Sequence, residues 1–511
     1  MRPVAMNLLF DDIDVLESVG DPSSVDVGGI SHDSRRVVPG DLFCCVPGLV
    51  SDGHEYAAAA VERGAVGLLC EHLIPELLDT EVVQTRIAPG SMRPVMARLA
   101  AAFYGHPARD LLMVGVTGTN GKTTVTQLLG DLLGATGRPT NVMGTLSGAR
   151  TTPEATEVQR LLAGVRDRQK WDGLRHAVAM EVSSHALAQS RVEGVHFDVT
   201  VFTNLSHDHL DYHGSMDAYF EAKAELFGSR YALRGVINAD DPWGRRLLEA
   251  ARIPVTPVHH ADASDIVLRP GGTQFTWRGQ RITTTLTGSV NVDNVLLAAE
   301  AALALDVPLE EVTEALPQLT PVPGRLQIIA AGLPGLTGED VPPFTVLVDY
   351  AHTPAGLEVV LREAKALAPD GRVLVVFGCG GNRDRAKRPL MGEAAAQLSD
   401  EAFVTSDNPR EEDPVAIIDE VVSGIAGGRE NAAVHVDADR RTAIRNALER
   451  ARPGDVVVIA GKGHETYQEV KGKQFPFDDA VEARTALSAR FGSDPGSWVS
   501  HAMAGRSLSE S

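Results

Sequence analysis

Short apolar runs recur along the chain, each followed by a polar or glycine-rich break and then an amphipathic stretch. In the middle of the chain such runs cover 111–116, 177–182, 199–202 and 235–237, and further on 345–348, 373–377, 402–405 and 456–459. Runs without internal alternation predict strands buried on both faces, and their alternation with helical segments predicts parallel β/α sheets. Helices are expected over 125–133 and 294–305, with a more β-like stretch at 266–286 between them. The segment before about 108 reads differently: short strands such as 41–46, turns, and one or two helices around 56–63. Pro321, Pro323 and Gly324 mark a hinge. The pattern predicts an α/β protein of three units, with a small α/β unit over 1–108, a central P-loop-type unit over 109–322 and a Rossmann-like unit over 323–494. Residues 495–511 are expected to be a disordered tail.

The breaks after these strands carry the candidate chemistry, because ligands of open α/β sheets bind at the carboxyl ends of strands. The first break is Gly118-Thr119-Asn120-Gly121-Lys122-Thr123-Thr124. Glycine-freed backbone N–H groups and a helix N-terminus can cradle phosphate, with Lys122 adding charge and Thr123 a magnesium ligand. Walker spacing would need glycine where the chain has Val116. A nucleotide triphosphate is the expected ligand. Glu181, at the end of the second strand expected in this unit, is placed to bind magnesium. His207, Asp208, His209, Asp211 and His213 follow the next strand and leave both a metal role and plain loop histidines open. By spacing alone Lys223 is a surface lysine of a helix. In the third unit Asp349 could take ribose hydroxyls. Gly378-Cys379-Gly380-Gly381, Asp407-Asn408-Pro409-Arg410 and Gly461-Lys462-Gly463-His464-Glu465 close the remaining strands and look like a site for a charged small molecule.

Composition narrows the partners. A net charge of −21 and a pI near 5.2 over 511 residues argue against nucleic acid or an anionic membrane surface. A polyanionic ligand would need local positive charge, for which the run from Arg383 to Arg388 is one candidate and a solvated helix start the other reading. The four cysteines, Cys44, Cys45, Cys70 and Cys379, form no C-x-x-C pair and are expected to be reduced core residues. No signal-peptide core and no membrane span are expected, so the protein is expected to be cytoplasmic.

Taken in order, these motifs resemble the Mur ligases of peptidoglycan synthesis, over Asp33 to about Arg490. The supporting residues are Asp33-Ser34-Arg35, Pro39 to Phe43, the Gly118–Thr124 loop, Thr151-Thr152-Pro153, Met180 to His185, Asp208 to His213, Asp349 to Pro354 and Asp407 to Arg410. The resemblance is strongest to the class that adds diaminopimelate to UDP-N-acetylmuramoyl-L-Ala-D-Glu. It implies an acyl-phosphate mechanism with ATP and Mg2+. Lys122, Lys223, Glu181 and His209 would be catalytic. Thr123, Glu181, His209 and Lys223 would sit at the metals, Lys223 as a CO2-derived carbamate. Gly118 to Thr124, Asn294, Arg325 and Asp349 would hold ATP. Ser34, Thr151, Thr152, Ser183, Gln189 and Arg191 would hold the UDP-muramoyl dipeptide. Arg383, Asp407, Asn408, Pro409, Arg410, Gly461 and Glu465 would hold meso-diaminopimelate. A monomer is expected. The chain departs from the family pattern at Leu49-Val50-Ser51, Ala355 and Asn382. A folylpolyglutamate-synthase-like ligase and a non-catalytic nucleotide-binding protein are the alternative readings.

Overall fold

The computed structural model describes residues 3–48, 51–148, 150–330, 342–425 and 433–491. The tail expected to be disordered, and Leu49 and Val50, lie outside these residues.

Three large sheets, of five, six and six strands, follow one another along the chain. The first has strands in the order Val15–Val19, Val83–Ile87, Gly67–Cys70, Asp41–Cys44, Gly29–Ser31, parallel except for its first pair. The helix Met92–Phe103, which the sequence pattern did not predict, closes one face with Met92, Val95, Met96 and Leu99. Its large buried residues, Met92, Val95, Met96, Leu99 and Phe103, recur at helical spacing with alanines between them.

The middle sheet is all parallel, in the order Val255–Val258, Ala232–Asn238, Phe197–Phe202, Leu112–Thr117, Ala177–Glu181, Thr140–Met143. Its central strand is buried on both sides: Val114 and Val116 enter one core, Leu111 and Met113 the other. That explains its unbroken apolar run. The chain crosses to one side of Leu112–Thr117 and then to the other, which leaves a crevice at its carboxyl end. Register places Glu181 beside Val116 and Phe202 beside Thr117, so three strands end side by side. Glu181 ends the third strand of this sheet in chain order, not the second, because Thr140–Met143 precedes it. That strand is only partly buried and too polar to read as an apolar run. The expected helices are longer at their starts, Lys122–Ala135 and Ser289–Ala304. The β-like stretch forms a separate antiparallel sheet of Ala263–Arg269, Gly272–Trp277 and Gln280–Thr284.

The third sheet has the order Gln327–Ala330, Thr345–Asp349, Val456–Ala460, Val373–Phe377, Glu401–Val404, Ala433–Val436, with only the first pair antiparallel. The two edge strands were not expected from apolar runs. The four predicted strands lie at its centre, and the segment that follows Thr345–Asp349 lines the crevice of the middle sheet. All four cysteines are buried and free.

Candidate active site

A cavity of about 540 Å³ lies between the middle and third sheets. Thr119 to Thr124, Glu181, Asn294, Arg325, Asp349 and His209 all line it.

The phosphate loop is shaped by two glycines at positive φ, Gly118 (148°) and Gly121 (82°). A Cβ on Gly118 would collide with Thr203 Oγ1, so the loop can approach its neighbour only with glycine there. Gly121 is the N-cap of Lys122–Ala135, and the helix N–H groups therefore open into the cavity. Lys122 Nζ donates to the carbonyls of Gly118 (3.0 Å) and Thr119 (2.8 Å), which curls it back over the loop.

Thr123 Oγ1 donates to Glu181 Oε2 at 3.0 Å. Glu181 is only 1% exposed, and its other oxygen accepts from Thr145 N at 2.7 Å. A hydroxyl and a carboxylate so close make a hard oxygen donor set that suits Mg2+. His209, at φ 54°, stands 3.5 Å from Asp208 through its Nε2. Burial lowers its pKa and pushes that of the neighbouring His185 down to about 4, which disfavours the charged form of each ring. Among the described residues no three His, Cys, Asp or Glu side chains converge as a metal cage.

Lys223 is not a surface lysine: it is 1% exposed. Its helix packs against the phosphate loop, where Lys223 Nζ donates to Gly118 O at 2.8 Å and lies 4.7 Å from the Tyr219 ring centre. Burial, with Lys122 nearby, holds its pKa well below the usual lysine value, against a weaker opposing pull from Asp208. Spacing could not show this, because the burial comes from a loop 105 positions away in sequence.

Arg325 reaches across from the third unit. Its Nη2 donates to Thr123 Oγ1 at 3.3 Å, and its guanidinium lies 4.4 Å from the Tyr350 ring centre. Asp349 is tied at both oxygens to its own chain, accepting from Leu326 N (2.7 Å) and Ala351 N (2.8 Å). Only its remaining lone pairs can reach a ribose. Asn294 lies one turn inside its helix, with Nδ2 donating to Asn291 Oδ1 at 3.0 Å.

A second cavity of about 340 Å³ separates the first and middle units, lined by His32, Asp33, Arg36, Arg150 and Glu154 among others. Ser34 starts the turn that carries Asp33 and Arg36. Around Glu181 and Ser183, Thr152 Oγ1 donates to Glu181 O (2.9 Å) and accepts from Ser183 N (3.1 Å). Thr151 Oγ1 lies 3.0 Å from Thr145 Oγ1. Arg191 donates to Thr152 O (3.0 Å) and Gln189 Oε1 (2.7 Å) and pairs with Glu154. Local positive charge sits here, at Arg36, Arg93, Arg150 and Arg191. In the run 383–388, Arg388 is fully buried between Glu412 and Glu420 and Arg385 pairs with Glu420, which leaves Arg383 and Lys387 without a carboxylate partner among the described residues.

On the rim of the third sheet, Arg410 adopts φ 50°, donates Nε to Glu469 Oε2 (3.2 Å) and Nη1 to Gly381 O (2.8 Å). A Cβ on Gly380 would meet both Arg410 Nη1 and Arg383 Cγ, so the two arginines converge over it. Asp407 and Asn408 are buried, and Pro409 lies with its carbonyl against Gly381. Gly461, at φ 116°, leaves room for Asp407 Oδ2. Glu465 Oε2 accepts from Asn408 Nδ2 at 2.8 Å. Lys462, to which sequence reasoning gave no role, is fully buried beside them. Its signal was a charged residue between two glycines at a strand end. The hinge touches this rim, since a Cβ on Gly324 would collide with Gly463 and His464, whose ring stands 5.1 Å from Tyr350.

Comparison with known proteins agrees with this architecture. Family models match three stretches: "Mur ligase family, catalytic domain" over 26–104, "Mur ligase middle domain" over 116–302 and "Mur ligase, glutamate ligase domain" over 324–463. A UDP-N-acetylmuramoyl-L-alanyl-D-glutamate–2,6-diaminopimelate ligase from Gloeobacter violaceus is 44% identical over 91% of this chain and 95% of its own. One of the same name from Streptomyces avermitilis is 41% identical over 90% and 92%. A solved structure of such a ligase superposes with a TM-score of 0.62 at 31% identity, covering 96% of this chain and 99% of that one. The MurF ligase of Thermotoga maritima in complex with ADP, 18% identical, shares the fold with a TM-score of 0.61 over 91% and 98%. With identity of this extent along nearly the whole chain, and three family models in register with the three sheets, the chain belongs to the Mur ligase family.

Proposed function

We propose that this protein is an ATP-dependent amide ligase that joins diaminopimelate to the D-Glu γ-carboxylate of UDP-N-acetylmuramoyl-L-Ala-D-Glu, a step in peptidoglycan precursor synthesis. The observation that carries the reading is the cavity between the middle and third sheets, which gathers a phosphate loop, the oxygen donors Thr123 and Glu181, and the cations Lys122 and Arg325 beside Asp349. The curated relatives named for this reaction support the same assignment.

In this reading a γ-carboxylate oxygen attacks the γ-phosphorus of ATP, and the bond to the bridging oxygen breaks to release ADP. The amine of the amino acid then attacks the acyl carbon, loses its proton, and phosphate leaves. Little covalent chemistry falls to the protein, so positioning and charge neutralisation supply the rate. The Gly118–Thr124 loop and Lys122 hold the triphosphate, while Asn294, Arg325 and Asp349 close on the nucleoside from the other side. Thr123, Glu181 and His209 would hold Mg2+, which neutralises phosphate charge when bound. Lys223 is buried and lacks a carboxylate within ion-pair distance among the described residues, which lowers its pKa and favours the neutral amine that carbamate formation from CO2 requires. The carbamate would add an anionic oxygen donor beside Gly118.

Ser34, Thr151, Thr152, Ser183, Gln189 and Arg191 are assigned to the UDP-muramoyl dipeptide, together with Arg36 and Arg150 of the second cavity. The amino acid is assigned to Arg383, Asp407, Asn408, Pro409, Arg410, Gly461 and Glu465, with the arginines on the distal carboxylate of the meso isomer. The units are taken as 1–108 for the nucleotide sugar, 109–322 for ATP and 323–494 for the amino acid. No helix among the described residues is long and apolar enough to cross a membrane. A cytoplasmic monomer is the assembly proposed.

The test is ADP release with Mg2+, ATP and UDP-N-acetylmuramoyl-L-Ala-D-Glu, adding meso-diaminopimelate or L-lysine in parallel. Turnover with diaminopimelate alone is the expected result. Turnover with lysine alone overturns the amino-acid assignment, and turnover with neither overturns the ligase reading.

A further inference from the structure

Lys462 follows the strand Val456–Ala460 and is flanked by Gly461 and Gly463, both at positive φ. Its side chain is 0% exposed. Its Nζ donates to Asn408 Oδ1 at 3.1 Å and to Glu465 Oε2 at 3.1 Å, and lies 5.8 Å from the Tyr467 ring centre. Asn408 Nδ2 reaches the same Glu465 oxygen at 2.8 Å, which closes a triangle of three side chains. Asn408 Oδ1 also accepts from Glu469 N at 2.9 Å.

A buried ammonium is costly unless it is paired and hydrogen-bonded. Among the described residues Glu465 is the sole carboxylate within ion-pair distance of Lys462. The charge of Glu465 is therefore already matched. Its Oε2 takes two donors, and its Oε1 has no hydrogen-bond partner among the described residues. Arg410 is matched by Glu469, but Arg383 is exposed and makes no ion pair among the described residues. Lys462, Arg383 and Arg410 are thus balanced by Asp407, Glu465 and Glu469 before any ligand arrives. An ammonium alone would add uncompensated positive charge. An ammonium and a carboxylate together would not.

We infer that Lys462 is a positioning and specificity residue for the incoming amino acid. It fixes Glu465 through Oε2, turns Oε1 toward the ligand's distal ammonium, and sets a charge balance that favours a zwitterionic distal end over a bare ammonium. This rests on the amino-acid assignment proposed above. It adds a residue that touches no substrate and acts through Glu465 and Asn408.

The experiment uses the full-length protein with Lys462→Met, of similar length and uncharged, and Lys462→Gln, uncharged but hydrogen-bonding. KM is measured for meso-diaminopimelate, ATP and the UDP-muramoyl dipeptide, with kcat, lysine turnover and thermal melting alongside. The expected result is a KM for diaminopimelate raised about 10- to 100-fold in Lys462→Met, with the other two KM values within about twofold. The preference for diaminopimelate over lysine should fall about tenfold. An unchanged KM for diaminopimelate overturns the inference, as does an equal rise in all three, which marks a structural role. If Lys462→Met does not fold, Lys462→Gln is read by the same criteria; if neither folds, the role is structural and the inference fails. A wild-type protein without diaminopimelate turnover overturns instead the assignment beneath it.

Discussion

At the nucleotide loop, consecutive residues from Gly118 to Thr124 build most of the site from backbone, a helix N-terminus and two positive-φ glycines. At the amino-acid rim, the residues come from the ends of separate strands, and a hairpin of Tyr467–Val470 and Lys473–Pro476 braces them through side chains. Both sites lie at carboxyl ends of parallel strands. A backbone site tolerates little change in conformation but asks little of its neighbours. A side-chain site needs each of its members fixed by another, which is why Arg410 leans on Glu469 and Glu465 on Lys462 and Asn408.

The contrast can be broken most sharply at Lys122. Lys122→Ala should lower kcat by about 10³-fold, read as ADP release, while leaving the melting temperature close to that of the wild type. Arg410→Ala should lower kcat/KM for diaminopimelate by about 10²- to 10³-fold with little change in the KM for ATP. A parallel loss in both would show that the rim and the loop are not separable. Withdrawing CO2 and bicarbonate should lower turnover reversibly by about tenfold in the wild type, and Lys223→Arg should abolish that dependence. Asp479→Asn leaves the fully buried Arg440 without its partner (2.7 Å) and should cost about 3–5 kcal/mol of stability, read by denaturant unfolding, while the KM for ATP of the folded protein is kept. The smallest effect concerns His185, whose folded pKa is pushed down to about 4 from 6.5. Between those values the unfolded chain binds a proton that the folded one does not. Stability should therefore rise with pH from about 4 to 6.5 and be fully present above that window. His185→Gln should flatten this part of the melting curve.

The fold was legible where burial leaves a period in the residues. The central strands of the second and third sheets are buried on both faces and read as apolar runs. The edge strands Thr140–Met143 and Ala433–Val436 are half-exposed and carry no such run. The phosphate loop was legible because its residues are contiguous. Lys223 and Lys462 were not, since both are buried by contacts with chain far away in sequence, at Gly118 and Asn408. Spacing along one helix or loop holds no trace of such partners. Within the run 383–388, Arg385 and Arg388 are neutralised by Glu412 and Glu420, partners that the run itself gives no sign of, while Arg383 makes no ion pair among the described residues.

The back-to-back glycines at the hinge have a thermodynamic consequence. Gly324 and Gly463 leave no slack between the linker and the amino-acid rim, and Tyr350 sits between His464 and the Arg325 that reaches Thr123. Under the proposed assignment, a shift of Arg325 on nucleotide binding would meet Tyr350 and His464 before the loop that carries Glu465. Coupling free energy is mutual, so any factor by which ATP tightened the amino-acid site would be the factor by which the amino acid tightened ATP. Premature loss of the nucleotide would then be opposed by the very ligand that needs it.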